Sequence, residues 1–141
     1  MTNLSPLQIE RLKYQPKLPS SLANGINHLV SKEGSATESV ANQEEIKALF
    51  KNTYGKPTVT FETSSDSSVS EIRNVGVILS GGQAPGGHNV IAGLYDALKQ
   101  ANSANKLYGF LGGPSGIIEG KYVEFTDSFI DEYRNTGGFD I

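Results

Sequence analysis

The chain of 141 residues contains no cysteine, which removes disulfide scaffolds, thiolate catalysis and Cys-ligated zinc together. It also lacks a basic excess: 12 Lys+Arg stand against 15 Asp+Glu, a formal charge of −3 at pH 7 with a pI near 5.3. Neutralising nucleic-acid phosphates takes clustered Lys and Arg, so nucleic acid is not an expected partner. No run approaches the ~20 apolar residues of a membrane-spanning helix. Met1 to Pro19 hold no basic segment followed by an apolar one, so neither a membrane nor a secretory signal is read from the chain. The Asn3-Leu4-Ser5 sequon is correspondingly read as chance. Hydrophobic residues at 37% can build a core but fall below the usual apolar share of a compact domain, which predicts some loose segments.

Glycine is scarce early and dense late, with 13 of the 16 lying from Gly76 onward. This divides the chain into an N-terminal extension, 1–72, and the first part of an α/β domain, 73–141. In the extension, Ser5-Pro6 starts a short helix, Tyr14 to Pro19 is an extended arm, and Gln43 to Phe50 is a second helix with acids in its first turn. Thr58 to Phe61 is a short strand, and Thr63 to Ser68 a flexible loop by composition.

From Arg73 the pattern sharpens. Val75, Val77, Ile78 and Leu79 form an apolar run ending in Ser80-Gly81-Gly82, as a buried parallel strand does. Val90, Ile91, Leu94, Ala97, Leu98 and Ala101 then repeat at helical spacing, and Leu107 to Leu111 gives a second strand closed by Gly112-Gly113-Pro114. Strand, helix and strand make a βαβ unit. A turn or short helix over Gly116 to Gly120, a brief strand over Tyr122 to Phe125, and a helix over Ser128 to Arg134 capped by Ser128 follow. So few strands cannot cover a parallel sheet, so the domain is expected to be incomplete.

The segment Ser80-Gly81-Gly82-Gln83-Ala84-Pro85-Gly86-Gly87-His88-Asn89 lies between the strand and the helix. Glycines there let the backbone pass close to a ligand, and the helix start offers N–H groups, so a phosphate is the natural occupant; a tight turn that binds nothing is the alternative. It is not a dinucleotide fingerprint, since no G-x-G-x-x-G occurs. Nor is it a P-loop, because Gly87 and His88 occupy the positions of Lys and Ser/Thr.

Val75 to Ile91 closely resembles the opening of the long-chain pyrophosphate-dependent phosphofructokinases. Gln83 and Gly87-His88 look like the pyrophosphate type rather than its ATP-dependent relatives. Tyr108 to Gly116, Lys121 to Glu124, Tyr133 to Asp140 and the arm Tyr14 to Pro19 also match. The resemblance implies a Rossmann-like parallel-sheet domain in a cytoplasmic, homodimeric enzyme. It would transfer a phosphoryl group reversibly from pyrophosphate to fructose 6-phosphate in glycolysis. It further implies that Gly82 contacts pyrophosphate, with Gly81, Gln83, Gly86 and Gly87 completing the loop. Gly113 and Ser115, at the end of the next strand, either line the donor site or form only a turn. The family's Gly-Gly-Asp-Asp metal segment and its Thr-Ile-Asp-Gly-Asp base segment have no counterpart here, so catalytic residues and Mg²⁺ ligands are expected beyond Ile141 and this stretch alone is expected to be inactive. A non-catalytic regulatory subunit and an ATP-dependent enzyme are the alternatives; the intact Ser80-Gly81-Gly82-Gln83 favours the catalytic type.

The remaining candidates read blandly. His88, near a helix start, is expected to be neutral and structural; His28 to be solvated or locally packed; Asp127, Asp131 and Glu132 to serve a helix N-terminus; Lys121 to be a solvated charge; and Asn89 to organise the loop by hydrogen bonding.

Overall fold

A computed structural model of the chain describes residues 4–139 and Ile141. Asn3 of the sequon and Asp140 of the last family match lie outside the described residues. Leu18–Ser68 form one compact unit, and the flanking segments together form a second. The expected extension over 1–72 is thereby divided, because its first helix belongs with the α/β part.

The Leu18–Ser68 unit pairs β1 (Leu29–Ala36) antiparallel to β2 (Pro57–Thr63), from Leu29↔Thr63 to Glu33↔Val59, with the register shifting before Ala36↔Pro57. Helix α2 (Gln43–Leu49) lies between them in sequence, as its periodicity predicts. β1 is a strand that composition does not disclose: Leu-Val-Ser-Lys-Glu-Gly-Ser-Ala has no apolar alternation, and it exists through its ladder to β2. The serine-rich loop is tied down: the Ser64 and Ser68 amides donate to the His28 and Asn27 carbonyls at 2.7 and 2.8 Å. His28 Nδ1–H donates to the Ser64 carbonyl at 3.3 Å, so this histidine is locally packed.

In the second unit, α1 (Pro6–Lys13) carries a capping box, with Gln8 N–H donating to Ser5 Oγ and Ser5 N–H to Gln8 Oε1. β3 (Asn74–Val77) runs parallel to β4 (Lys106–Phe110) through α3 (Gly87–Ala101), the expected βαβ connection. β3 is only half-buried, at Val75 and Val77, rather than a fully covered strand. The short α4 (Pro114–Glu119) turns the chain so sharply that β5 (Tyr122–Glu124) returns antiparallel to β4. The sheet, ordered β3-β4-β5, is therefore mixed where an all-parallel one is expected from sequence. Helix α5 (Asp127–Tyr133) is capped by Thr126, whose hydroxyl accepts from Phe129 N–H. Ser128, expected as the cap, lies inside the helix with its Oγ 3.1 Å from the Thr126 hydroxyl.

The core is small: Ile91, Ala92 and Tyr95 of α3 meet Leu107 of β4, Phe125 and Ile130 of α5. With His88, these α3 residues follow i, i+3, i+4, i+7, while Val90 of the predicted stripe is exposed. The α3–β4 connection is pinned by buried Asn105, whose Oδ1 accepts from Arg73 N–H at 2.7 Å and whose Nδ2 donates to the Leu98 carbonyl at 2.8 Å. One side chain thus joins the end of α3 to the entry of β3.

Candidate functional site

The loop between β3 and α3 leaves the carboxyl end of the sheet at Leu79. Gly81 and Gly86 both adopt φ +97°, in the left-handed region that favours glycine, and Gly86 is the N-cap of α3. Gly81, Gly82, Gln83 and Ala84 are exposed, and their amides donate no hydrogen bond among the described residues. Four consecutive open N–H groups at a strand's carboxyl end suit an anion. No atom lies within 4 Å of where a Cβ would stand on Gly81, Gly82 or Gly86, so the face is open.

The start of α3 is less open than sequence suggests. Gly86 N–H donates to the Gly137 carbonyl at 2.8 Å and His88 N–H to the Gly138 carbonyl at 3.0 Å, so two of the amides expected to face a ligand are already satisfied. Gly87 is buried, and a Cβ there would meet the Phe139 ring at 2.8 Å; its glycine is required by packing, not by closeness to a ligand.

The second glycine loop abuts the first. A Cβ on Gly113 would stand 3.2 Å from the Leu79 carbonyl, and Gly113 shares with Gln83 the rim of a cleft of about 220 Å³. Its walls include the side chains of Val77, Leu79, Ile91, Phe110 and Phe125. Gly81, Gly82, Gly86, Gly87 and Ser115 stand outside that lining. Ser115 Oγ donates to the Gly112 carbonyl at 2.8 Å, closing its own turn.

Several titratable groups are engaged in hydrogen bonds and ion pairs. Tyr95 O–H donates to Asp127 at 2.7 Å, and burial first, then this bond, pushes the phenol up to about 12. Asp127 thus anchors α5 to α3 while opening the helix. Asp131 and Asp96 both bind Arg134, whose guanidinium is held above its ordinary range chiefly by its hydrogen bonds to Asp96. Lys121 pairs with Glu119 at 2.5 Å. His88 is buried at 3% exposure, with Nδ1 2.5 Å from Thr136 Oγ1, in keeping with a structural role. Asn89 is exposed and its side chain makes no hydrogen bond among the described residues, contrary to its expected part in organising the loop. No group of three or more His, Cys, Asp or Glu fit to hold a metal occurs among the described residues. The magnesium implied by the resemblance therefore finds no donor set in them.

A parallel β3-α3-β4 crossover with a glycine loop at the carboxyl edge places the chain among Rossmann-like α/β proteins. No family model matches the chain. A protein of Porphyromonas gingivalis named pyrophosphate–fructose 6-phosphate 1-phosphotransferase is 54% identical over 137 residues, which are 97% of this chain and 24% of that protein. Its namesake in Entamoeba histolytica is 45% identical over 139 residues, 99% of this chain and 25% of its own length. The Solanum tuberosum protein named as subunit beta is 43% identical over 139 residues, 97% and 24% respectively. The chain is thus similar over nearly its whole length to pyrophosphate-dependent phosphofructokinases, and it spans about a quarter of the length of the curated relatives it matches.

Proposed function

We propose that this stretch is part of an enzyme transferring a phosphoryl group reversibly between pyrophosphate and the 1-hydroxyl of fructose 6-phosphate in glycolysis, and that residues 80–87 receive the donor. The structural observation carrying the reading is the row of exposed, unbonded amides from Gly81 to Ala84. It is joined by similarity over 97% of the chain to proteins named for this reaction. Backbone donors suit pyrophosphate because they supply directed hydrogen bonds without side chains in the way. Gln83 and Gly113, brought together at the cleft rim, form the flank of the donor site on this reading, with Gly82 at its open face.

Phosphoryl transfer needs in-line positioning, neutralisation of phosphate charge and an acceptor for the hydroxyl proton. The described residues contribute positioning. Asp96, Asp127 and Asp131 are committed to Arg134 and Tyr95, and His88 to Thr136, so none offers an open base. The base and the Mg²⁺ ligands belong, on this reading, to the rest of a cytoplasmic, homodimeric protein. Fructose 1,6-bisphosphate formation by a full-length protein carrying this stretch, measured with pyrophosphate and with ATP at matched Mg²⁺, tests the proposal. Turnover with pyrophosphate is expected; a preference for ATP overturns the donor assignment, and turnover with neither overturns the activity in favour of a regulatory subunit.

A further inference from the structure

The six residues after α5 hold the glycine loop where it becomes a helix. Gly137 and Gly138 accept the Gly86 and His88 amides, and Phe139 packs against Gly87. Between them and the helix lies Thr136, whose hydroxyl donates to the Tyr133 carbonyl at 2.6 Å. A hydroxyl has one proton, so at His88 it must accept, which places a hydrogen on His88 Nδ1. The Tyr133 ring meets the imidazole edge-on, centroids 5.0 Å apart.

This segment is itself immobilised. Arg134 grips Asp96 of α3 through two hydrogen bonds of 2.7 and 3.0 Å, and Asn135, at φ 58°, donates its side-chain amide to the Arg11 and Tyr14 carbonyls at 2.8 and 3.1 Å. The segment is thus fixed to α3 at one side and to the end of α1 at the other. Its effect on the loop is specific. It satisfies the Gly86 and His88 amides, whereas those of Gly81 to Ala84 donate no hydrogen bond among the described residues.

We propose that Thr136 is a positioning residue for the phosphoryl-donor loop, acting through His88 and the adjoining Gly137 and Gly138 carbonyls to fix Gly86, the point where the loop turns into α3. The inference rests on the reading of 80–87 as the donor loop. Valine in place of Thr136 keeps the shape but removes both the acceptor for His88 Nδ1–H and the donor to Tyr133, whereas serine keeps the hydroxyl.

The test uses the whole 141-residue chain labelled with ¹⁵N. Long-range imidazole spectra of wild type and Thr136→Ser are expected to show His88 protonated at Nδ1; hydrogen on Nε2 alone would overturn the inference without any variant. Titration with sodium pyrophosphate, followed at the Gly81 to Ala84 amides, is expected to show affinity weakened ~10-fold or more by Thr136→Val, the equivalent of one hydrogen-bonded contact. Thr136→Ser should restore it. A wild-type response left unchanged by Thr136→Val overturns the positioning role alone. Absence of any response at those amides in wild type overturns the donor-loop reading, and this inference with it.

Discussion

Gly81 and Gly82 are neighbours with identical side chains, yet their backbones differ. Gly81 sits at φ +97°, and Gly82 has no left-handed φ; both have open space at the Cβ position. A β-branched residue is therefore strained by the backbone at Gly81 but not at Gly82. Gly81→Val is expected to destabilise the chain by ~1–3 kcal/mol through backbone strain, read as a lowered urea midpoint. Gly82→Val is expected to leave stability within ~0.5 kcal/mol yet abolish the pyrophosphate-induced shift of the neighbouring amides, because its methyl groups occupy the open face. Unaltered binding in that variant would show that the loop does not hold the donor there. Tyr95 gives a prediction in pH. Its folded pKa of about 12 lies above the ordinary value of 10.0, so the protonated phenol is favoured by folding. That contribution is complete below pH 10 and declines as pH rises toward and through 12. Absorbance titration should show a late-ionising component that Tyr95→Phe removes. A titration that Tyr95→Phe leaves without loss of a late component would contradict the buried bond to Asp127.

Elements were legible where the signal was local. The β3-α3-β4 unit is readable because an apolar run, a glycine pair and a 3.6-residue period occur in order, each stating its own structure. β1 was not, since its eight residues show no apolar alternation and are made a strand by a partner some thirty positions away. The direction of β5 was hidden for a similar reason: it depends on how α4 turns the chain, which no strand periodicity encodes. Within the candidate site, the first glycine loop was readable. The capture of the Gly86 and His88 amides by residues about fifty positions later was not, because a carbonyl carries no side-chain signature. Thr136 and Arg134 were missed as site-supporting residues; the polar pair flanking Asn135 just before Gly137-Gly138 was the available hint. Arg134→Lys tests the α5–α3 connection. It keeps the charge but loses the two-pronged bond to Asp96, and is expected to cost about 1 kcal/mol, measured by urea unfolding. No change would mean the pair contributes nothing to holding α5.

At the scale of the molecule, six buried apolar residues among those described form the core. Small cores give stabilities near the lower end of the ~5–15 kcal/mol range. Ile130, at 1% exposure, has its side chain wholly inside. Ile130→Ala is expected to cost ~2–5 kcal/mol, enough to lower the thermal midpoint sharply; a midpoint within a degree or two of wild type would show that α5 is not part of the core. No helix among the described residues is long and apolar enough to cross a membrane. The bonds from Asn135 to Arg11 and Tyr14 join positions 124 and 121 residues apart. A contact closed across that length of chain must wait until most of the chain has found its place, since its loop entropy is repaid only at the end. Helix α1, which has no buried residue of its own, is therefore a latecomer in folding and an early leaver in breathing. Its amides should take up deuterium well before those of α3, although the two helices reside in the same compact unit.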